Sequence, residues 1–384
     1  MKHLVSKIAA PGIKKAYRLL KYSNERKRFA REFAIRREQD ENLRSHYLAE
    51  AEKLIVFVVP GSDPATGTDS ISGGTMSIVS LCEETAALEG IHGAQTIMCT
   101  LNDQSLLVRH TKFENNRLVY RFDQLHKYFK STREVLIHVP EFMAEYFLHN
   151  LRDSDRKWLE SCTSVHLNIM NQNIRLMPER SVIERLKLIG SAVTITTAHQ
   201  RYCTKEYREK YGVPLHKFSV WISPEQYQFR PWKKKKDLIV VSPDGHSAKD
   251  AILKELSSIG GLQVKIIKDL TYEEYKSIIS DAKWSLTFGE GLDGYFIEPV
   301  FSGAISFAVY NEQFFTADFG HLETVYGSYE ELSAHLVSDM SRLQDQIHFE
   351  ECQRTQFELC ARHYSKDVYR KNIAAFYRGE YTYA

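Results

Sequence analysis

Residues 288–307 read FGEGLDGYFIEPVFSGAISF. One short apolar run (284–288) leads into this stretch and another (304–309) closes it, and both have the length and composition of buried strands. Between them the spacing predicts a glycine loop and a helix over 298–302. Glycines stand at 289, 291, 294 and 303, and two carboxylates, Glu290 and Glu298, lie eight residues apart. Taken alone, the stretch also fits a surface turn leading into an ordinary helix. Strand, glycine loop, helix and strand together, however, form the unit from which parallel α/β sheets are built.

The residues on either side extend that pattern. A second α/β series opens at DLIVVS (237–242) and continues with helix 247–258, strand 262–267 and helix 271–280 before reaching the loop; a further short strand is expected at 323–325. Residues 329–378 read as mostly helical. Upstream, PEQYQFRPWKKKKD (224–237) has the proline, aromatic and lysine content of an interdomain hinge. Before it lies another α/β series. It starts with the fully apolar LIVFVV (54–59), stopped by Pro60-Gly61, then a polar loop (61–74) and a helix from Thr75 to about Leu88. Strands are expected at 94–99, 117–121, 134–139, 164–170 and 192–197, with helices at 142–150 and 178–189. The expected organisation is therefore a helical extension (1–53), a first Rossmann-like domain (54–230) and a second (231–384), both doubly wound. In such sheets ligands sit outside the carboxyl ends of the strands.

Composition narrows the class. Of the 384 residues, 43% are hydrophobic and 26% charged, as in globular proteins that bury a core. The six cysteines form no C-x-x-C pair, which argues against a zinc site or a disulfide framework and for a cytoplasmic setting. No apolar run approaches the roughly 20 residues that span a bilayer. The net charge of +2 divides unevenly: residues 1–37 carry +10 and the remainder −8. With Ile13, Tyr17 and Leu20 at helical spacing, this basic arm is expected either on an anionic membrane surface, at the inner face of the cytoplasmic membrane, or as a solvated helical extension packed on the main body. Nucleic acid is not expected as a partner, because no recognition motif follows the arm. The D-x-D of RDSDR (152–156) is read as solvated surface in a helical connector.

Several residue patterns carry chemistry. Gly291 and Gly294 would let backbone N–H groups approach an anion, at the positive end of the helix that follows. Pro299 is expected within the first helical turn, where its missing N–H costs nothing. A carboxylate repels phosphate, so Glu290 and Glu298 need hydroxyl partners, which they bind through charge-assisted hydrogen bonds. The two could thus grip the ends of a nucleotide-sugar with its diphosphate between them. In the first domain, Gly73 and Gly74 in SISGGTMSIV (70–79) would admit a phosphate or an acceptor. His199 is expected at a strand end facing the cleft, and His138 at the end of EVLIHVPE. Asn171, Gln172 and Asn173 offer polar groups after another strand.

The run EGLDGYFIEPVFSGAISF resembles, without gaps, the E-x7-E signature of retaining glycosyltransferases of the GT-B fold, especially family 4. Glu290, Gly291, Glu298 and Gly303 match its pattern, whereas Asp293 replaces a glycine and Pro299 an alanine. The likeness is clear over the core of the second domain and looser over the first, about residues 54–325. It implies that Glu290 contacts the transferred sugar, with His199 as a second catalytic candidate, and that Glu298 contacts the ribose. The backbone of Gly294, Tyr295 and Phe296 would hold the distal phosphate. Lys249, in SPDGHSAKD (242–250), would neutralise the diphosphate, alone or with His246; Asp244 stands where the family usually has an arginine. The implied activity is retaining, metal-independent sugar transfer, without a cofactor, from a nucleotide-sugar to a lipid-linked glycan in cell-surface polysaccharide or lipopolysaccharide assembly. Some bacterial rhamnosyltransferases of this type carry a similar helical extension. The alternatives are a catalytically silent scaffold of the same fold and a sugar-nucleotide epimerase.

Overall fold

The computed structural model describes residues 11–46, 50–62, 69, 72–113, 115 and 117–384. Two all-parallel sheets organise it. The first contains β1 (Lys53–Val58), β2 (Gln95–Thr100), β3 (Val119–Arg121), β4 (Glu134–Pro140), β5 (Ser164–Asn171), β6 (Ala192–Thr197) and β7 (Leu215–Lys217), in the order β3-β2-β1-β4-β5-β6-β7. The second contains β8 (Lys236–Val241), β9 (Gln263–Ile266), β10 (Ala282–Leu286), β11 (Ile305–Val309) and β12 (Val325–Tyr326), in the order β12-β11-β10-β8-β9. Both are covered by helices on their two faces, which is why strands such as LIVFV are apolar at every position.

Strand order reverses beside β1 in the first sheet and beside β8 in the second. The loops that follow β1, β8 and β10 therefore open at switch points, where a crevice forms. The sheets turn these carboxyl ends toward one another, so the loop 287–293 faces Ser72–Gly74 across a cleft. Gly303 holds the second domain to the hinge. Its φ is +91°, and a Cβ there would strike the carbonyl of Arg230, so only glycine suits the position.

The chain ends by returning to its first half. On the helix Lys366–Tyr377, Tyr369, Ile373 and Phe376 share a core with Ile55, Phe57 and Met76, and Tyr383 pairs antiparallel with Leu215. The last segment of the expected 231–384 domain thus packs on the first sheet.

Toward the other terminus Pro11 opens the helix Pro11–His46. Proline is suited to this first turn. The helix docks by its C-terminal part, burying Leu43 and Gln39. The expected solvated D-x-D is half corrected: Asp153 is exposed, but Asp155 is fully buried, accepting from the Arg152 backbone N–H at 3.0 Å and from Asn102 Nδ2 at 2.6 Å. It caps the helix Asp153–Ser161 from inside. Among the described residues no helix is long and apolar enough to cross a membrane.

Candidate functional site

A cavity of about 650 Å³ lies in the cleft. Ser72, Gly73, Gly74 and Lys112 line it from the first domain, and the second supplies Lys268, Tyr272, Glu290, Asp293, Gly294, Tyr295 and Glu298. Its size is in the range of small-molecule sites.

The wall is built by the helix Gly294–Phe301, which begins four residues before the sequence suggests. Asp293 explains the early start. Its Oδ1 accepts from the backbone N–H of Tyr295 (2.8 Å) and Phe296 (3.3 Å), the bonds of an N-cap. The expectation that Tyr295 and Phe296 offer those N–H groups to phosphate is therefore corrected, because Asp293 already occupies them. The Phe296 side chain is in the core. Burial, then the neighbouring carboxylates of Asp244 and Glu290, push Asp293 well above the usual carboxylate range.

Glu298 is 5% exposed, and Tyr272 Oη donates to its Oε2 at 3.2 Å. The Tyr272 hydroxyl also lies 2.9 Å from that of Tyr227, forming a three-membered chain of polar groups. Burial raises the Glu298 pKa to about 8, and the tyrosine hydrogen bonds oppose the shift. Gly294 leaves room for this carboxylate: a Cβ on it would stand 2.6 Å from Glu298 Oε1. Glu290 is raised to about 7 by burial and then by Asp244, with Arg175 opposing. Asn173 Nδ2 reaches across the cleft to Glu290 Oε1 at 2.8 Å. Of the expected residues, Glu290, Glu298, Gly294, Tyr295, Gly73 and Gly74 thus share one cavity, and Asn173 touches it through Glu290.

Other expected residues are placed differently. His138 is fully buried against Phe57, with its ring nitrogens facing Asn168 Nδ2 and Tyr377 Oη, each at 2.9 Å. It is a core histidine beneath the returning C-terminal helix, far from any acceptor role. His199 Nε2 lies 3.2 Å from the carbonyl of Gln172, and its ring packs edge-on to Phe314. Burial lowers its pKa to about 4, so it is neutral at pH 7 and supports the 172–173 loop without lining the cavity. Lys249 turns inward, donating to the carbonyls of Ser242 (2.6 Å) and Asp244 (2.7 Å). It braces the loop after β8 and lines no part of the cavity. Gly291 is also structural: with φ at +82°, its missing Cβ makes way for the Phe315 ring. Asn171 is buried and contacts Thr197 Oγ1 at 3.5 Å, whereas Gln172 Oε1 stands over Gly74.

Sequence reasoning missed five contributors. Tyr227 and Tyr272 hold Glu298, yet they come from a hinge and a helix start with no recognisable motif. Glu141, in the tail of HVPE, is 3% exposed and accepts the Asn173 backbone N–H at 3.0 Å. Burial raises it to about 7, with Glu290 adding to the effect. Lys112 and Lys268 line the cavity from opposite domains; their loops gave no signal. Among the described residues no group of three or more His, Cys, Asp and Glu is placed to hold a metal ion.

No family model matches the chain, and no curated protein does. Solved structures do. An alpha-glucosyltransferase in complex with UDP and a 13-mer DNA containing a HMU base is 10% identical, with a TM-score of 0.53 over 85% of this chain and 100% of that one. Sucrose-phosphate synthase from Thermosynechococcus elongatus is 11% identical, with a TM-score of 0.53 over 85% of this chain and 98% of its own. Anabaena HepE in complex with UDP-glucose is 8% identical, with a TM-score of 0.54 over 85% and 99%. Two parallel doubly wound sheets facing one cleft, in the arrangement these structures share, give this chain the GT-B fold.

Proposed function

We propose that the chain is a glycosyltransferase that takes its sugar from a nucleoside-diphosphate donor bound in the cleft. One observation carries this reading. Glu290 and Glu298, eight residues apart, line a single cavity of about 650 Å³ whose opposite wall is Ser72–Gly74, the start of the helix Gly73–Ala87. In the solved relatives named above, UDP or UDP-glucose is bound to two proteins of this fold. The site's chemistry is compatible with an anionic ligand despite its acidic side chains. With Glu290 raised to about 7 and Glu298 to about 8, much of that charge is absent at neutral pH. A protonated carboxyl both donates and accepts, which suits it to sugar hydroxyls. Trp221 and Tyr272, with ring centroids 5.8 Å apart, give the cavity an aromatic end for the base.

In this reading Glu298 takes the ribose and Glu290 the transferred sugar. Lys112 and Lys268 supply the positive charge that Asp244 and the inward-turned Lys249 do not. The sugar leaves the diphosphate with retention of configuration and without metal, as the E-x7-E resemblance implies, and passes to a lipid-linked glycan. The test is incubation of the protein with a panel of nucleotide-sugars, with released nucleotide diphosphate as the readout. Release that Glu290→Gln abolishes supports the reading; no release from any donor overturns it.

Asp244 and Asp293, where the resembled family has arginine and glycine, favour a second reading, a catalytically silent scaffold. A Glu290→Ala strain with unchanged cell-surface glycan, beside a deletion strain that lacks it, selects the scaffold.

A further inference from the structure

Among the described residues, the contacts that hold the helix Pro11–His46 to the protein come from its C-terminal part. Arg36 Nη2 reaches both oxygens of Asp123 (2.9 and 2.8 Å), Gln39 donates to the carbonyls of Leu107 and Val119, and Asp40 accepts from Gln124. Leu43 is in the core. Counting back by threes and fours from Leu43, Asp40 and Arg36, the same row continues through Phe33 and Phe29 to Tyr22. These three aromatic side chains are 74%, 65% and 64% exposed. The face that docks at one end of the helix thus carries, at the other, an aromatic row that is largely exposed among the described residues. Along the same segment, residues 14–37 hold ten Lys or Arg against Glu25 and Glu32.

We propose that this projecting helix seats the protein on an anionic lipid surface, with Tyr22, Phe29 and Phe33 entering the headgroup layer and the flanking basic residues meeting lipid phosphates. Charge and apolarity together select this occupant. A second copy of the chain would bring an identical positive helix against this one, and the like charges would oppose pairing. Duplex nucleic acid satisfies the cations but offers an aromatic row no apolar layer to enter. A bilayer interface with anionic headgroups satisfies both, since aromatic rings favour the headgroup level and basic residues are drawn to its potential. The contact assigned here differs from that expected from Ile13, Tyr17 and Leu20, whose side chains lie outside the described residues. The helix carries this surface independently of what the cleft binds.

Flotation of the full chain with vesicles tests the assignment. Binding is expected to equimolar phosphatidylcholine and phosphatidylglycerol, and not to phosphatidylcholine alone. Joint substitution Tyr22→Ser, Phe29→Ser and Phe33→Ser is expected to weaken it about tenfold or more, and Arg26→Glu with Lys27→Glu to weaken it similarly. The thermal midpoint should change little, because these aromatic side chains are largely exposed. Three results would each overturn the proposal: no binding to anionic vesicles, undiminished binding by the aromatic variant, or light scattering showing a dimer that this variant dissolves. Binding to duplex DNA that exceeds vesicle binding, and that depends on the same aromatic residues, would also overturn it.

Discussion

At the scale of single residues, small side chains decide where the carboxylates stand. Gly291→Ala places a methyl group against Phe315 in a backbone conformation that alanine resists. Its expected cost is about 2 kcal/mol or more, read as a lowered denaturation midpoint. Glu298 couples the site to pH. Its folded pKa of about 8 exceeds its ordinary 4.5, so the folded state holds the proton more tightly. The associated stabilisation is complete below the ordinary value and is lost as pH rises through about 8. Glu298→Gln should therefore flatten the fall in thermal midpoint between about pH 6 and about pH 9; an unaltered slope would show that Glu298 ionises normally. At this scale the sequence was partly readable. The Glu290–Glu298 spacing pointed to one cavity. Asp293 before an apolar run was a legible N-cap, but the glycine pattern drew attention to phosphate instead. The inward turn of Lys249 depends on loop carbonyls at 242 and 244, which no spacing rule locates.

At the scale of elements, apolar runs bounded by glycine and proline gave most strands to within a residue or two, because fully buried parallel strands leave little ambiguity. His138 shows what such runs omit. Its strand was evident, but the face it presents is covered by Tyr377, 239 residues away in sequence. No local pattern predicts that cover. The segment Asn171–Asn173 works as an element of the cleft: its backbone is held by Glu141 and His199, and the Asn173 side chain crosses to Glu290. Asn173→Ala removes that crossing bond, worth about 1 kcal/mol. Faster hydrogen exchange over 289–294 is expected, with little change in the exchange of β5; equal exchange in both proteins would mean that Asn173 does not hold the loop.

At the scale of the whole molecule, two sheets with reversed strand order set their loops against one another, and the returning C-terminal helix ties the halves together. That architecture was legible from two α/β series and a hinge, whereas the crossing of 366–384 to the first sheet was not, since its helical pattern fits either domain. The cleft's charge depends on pH, because burial holds Glu290 and Glu298 above the usual carboxylate range, at about 7 and about 8. Nucleotide-diphosphate affinity should accordingly fall several-fold between about pH 7 and about pH 9 as two carboxylates come to face the diphosphate. The basic helix would hold this cleft near a membrane and hence near lipid-linked acceptors. The most direct measurement is calorimetric titration of the full chain with UDP-, GDP- and dTDP-sugars, beside Glu298→Ala. Saturable binding of at least one donor, lost or sharply weakened in the variant, is the predicted result. No binding of any nucleotide-sugar, or equal binding by both proteins, would contradict it.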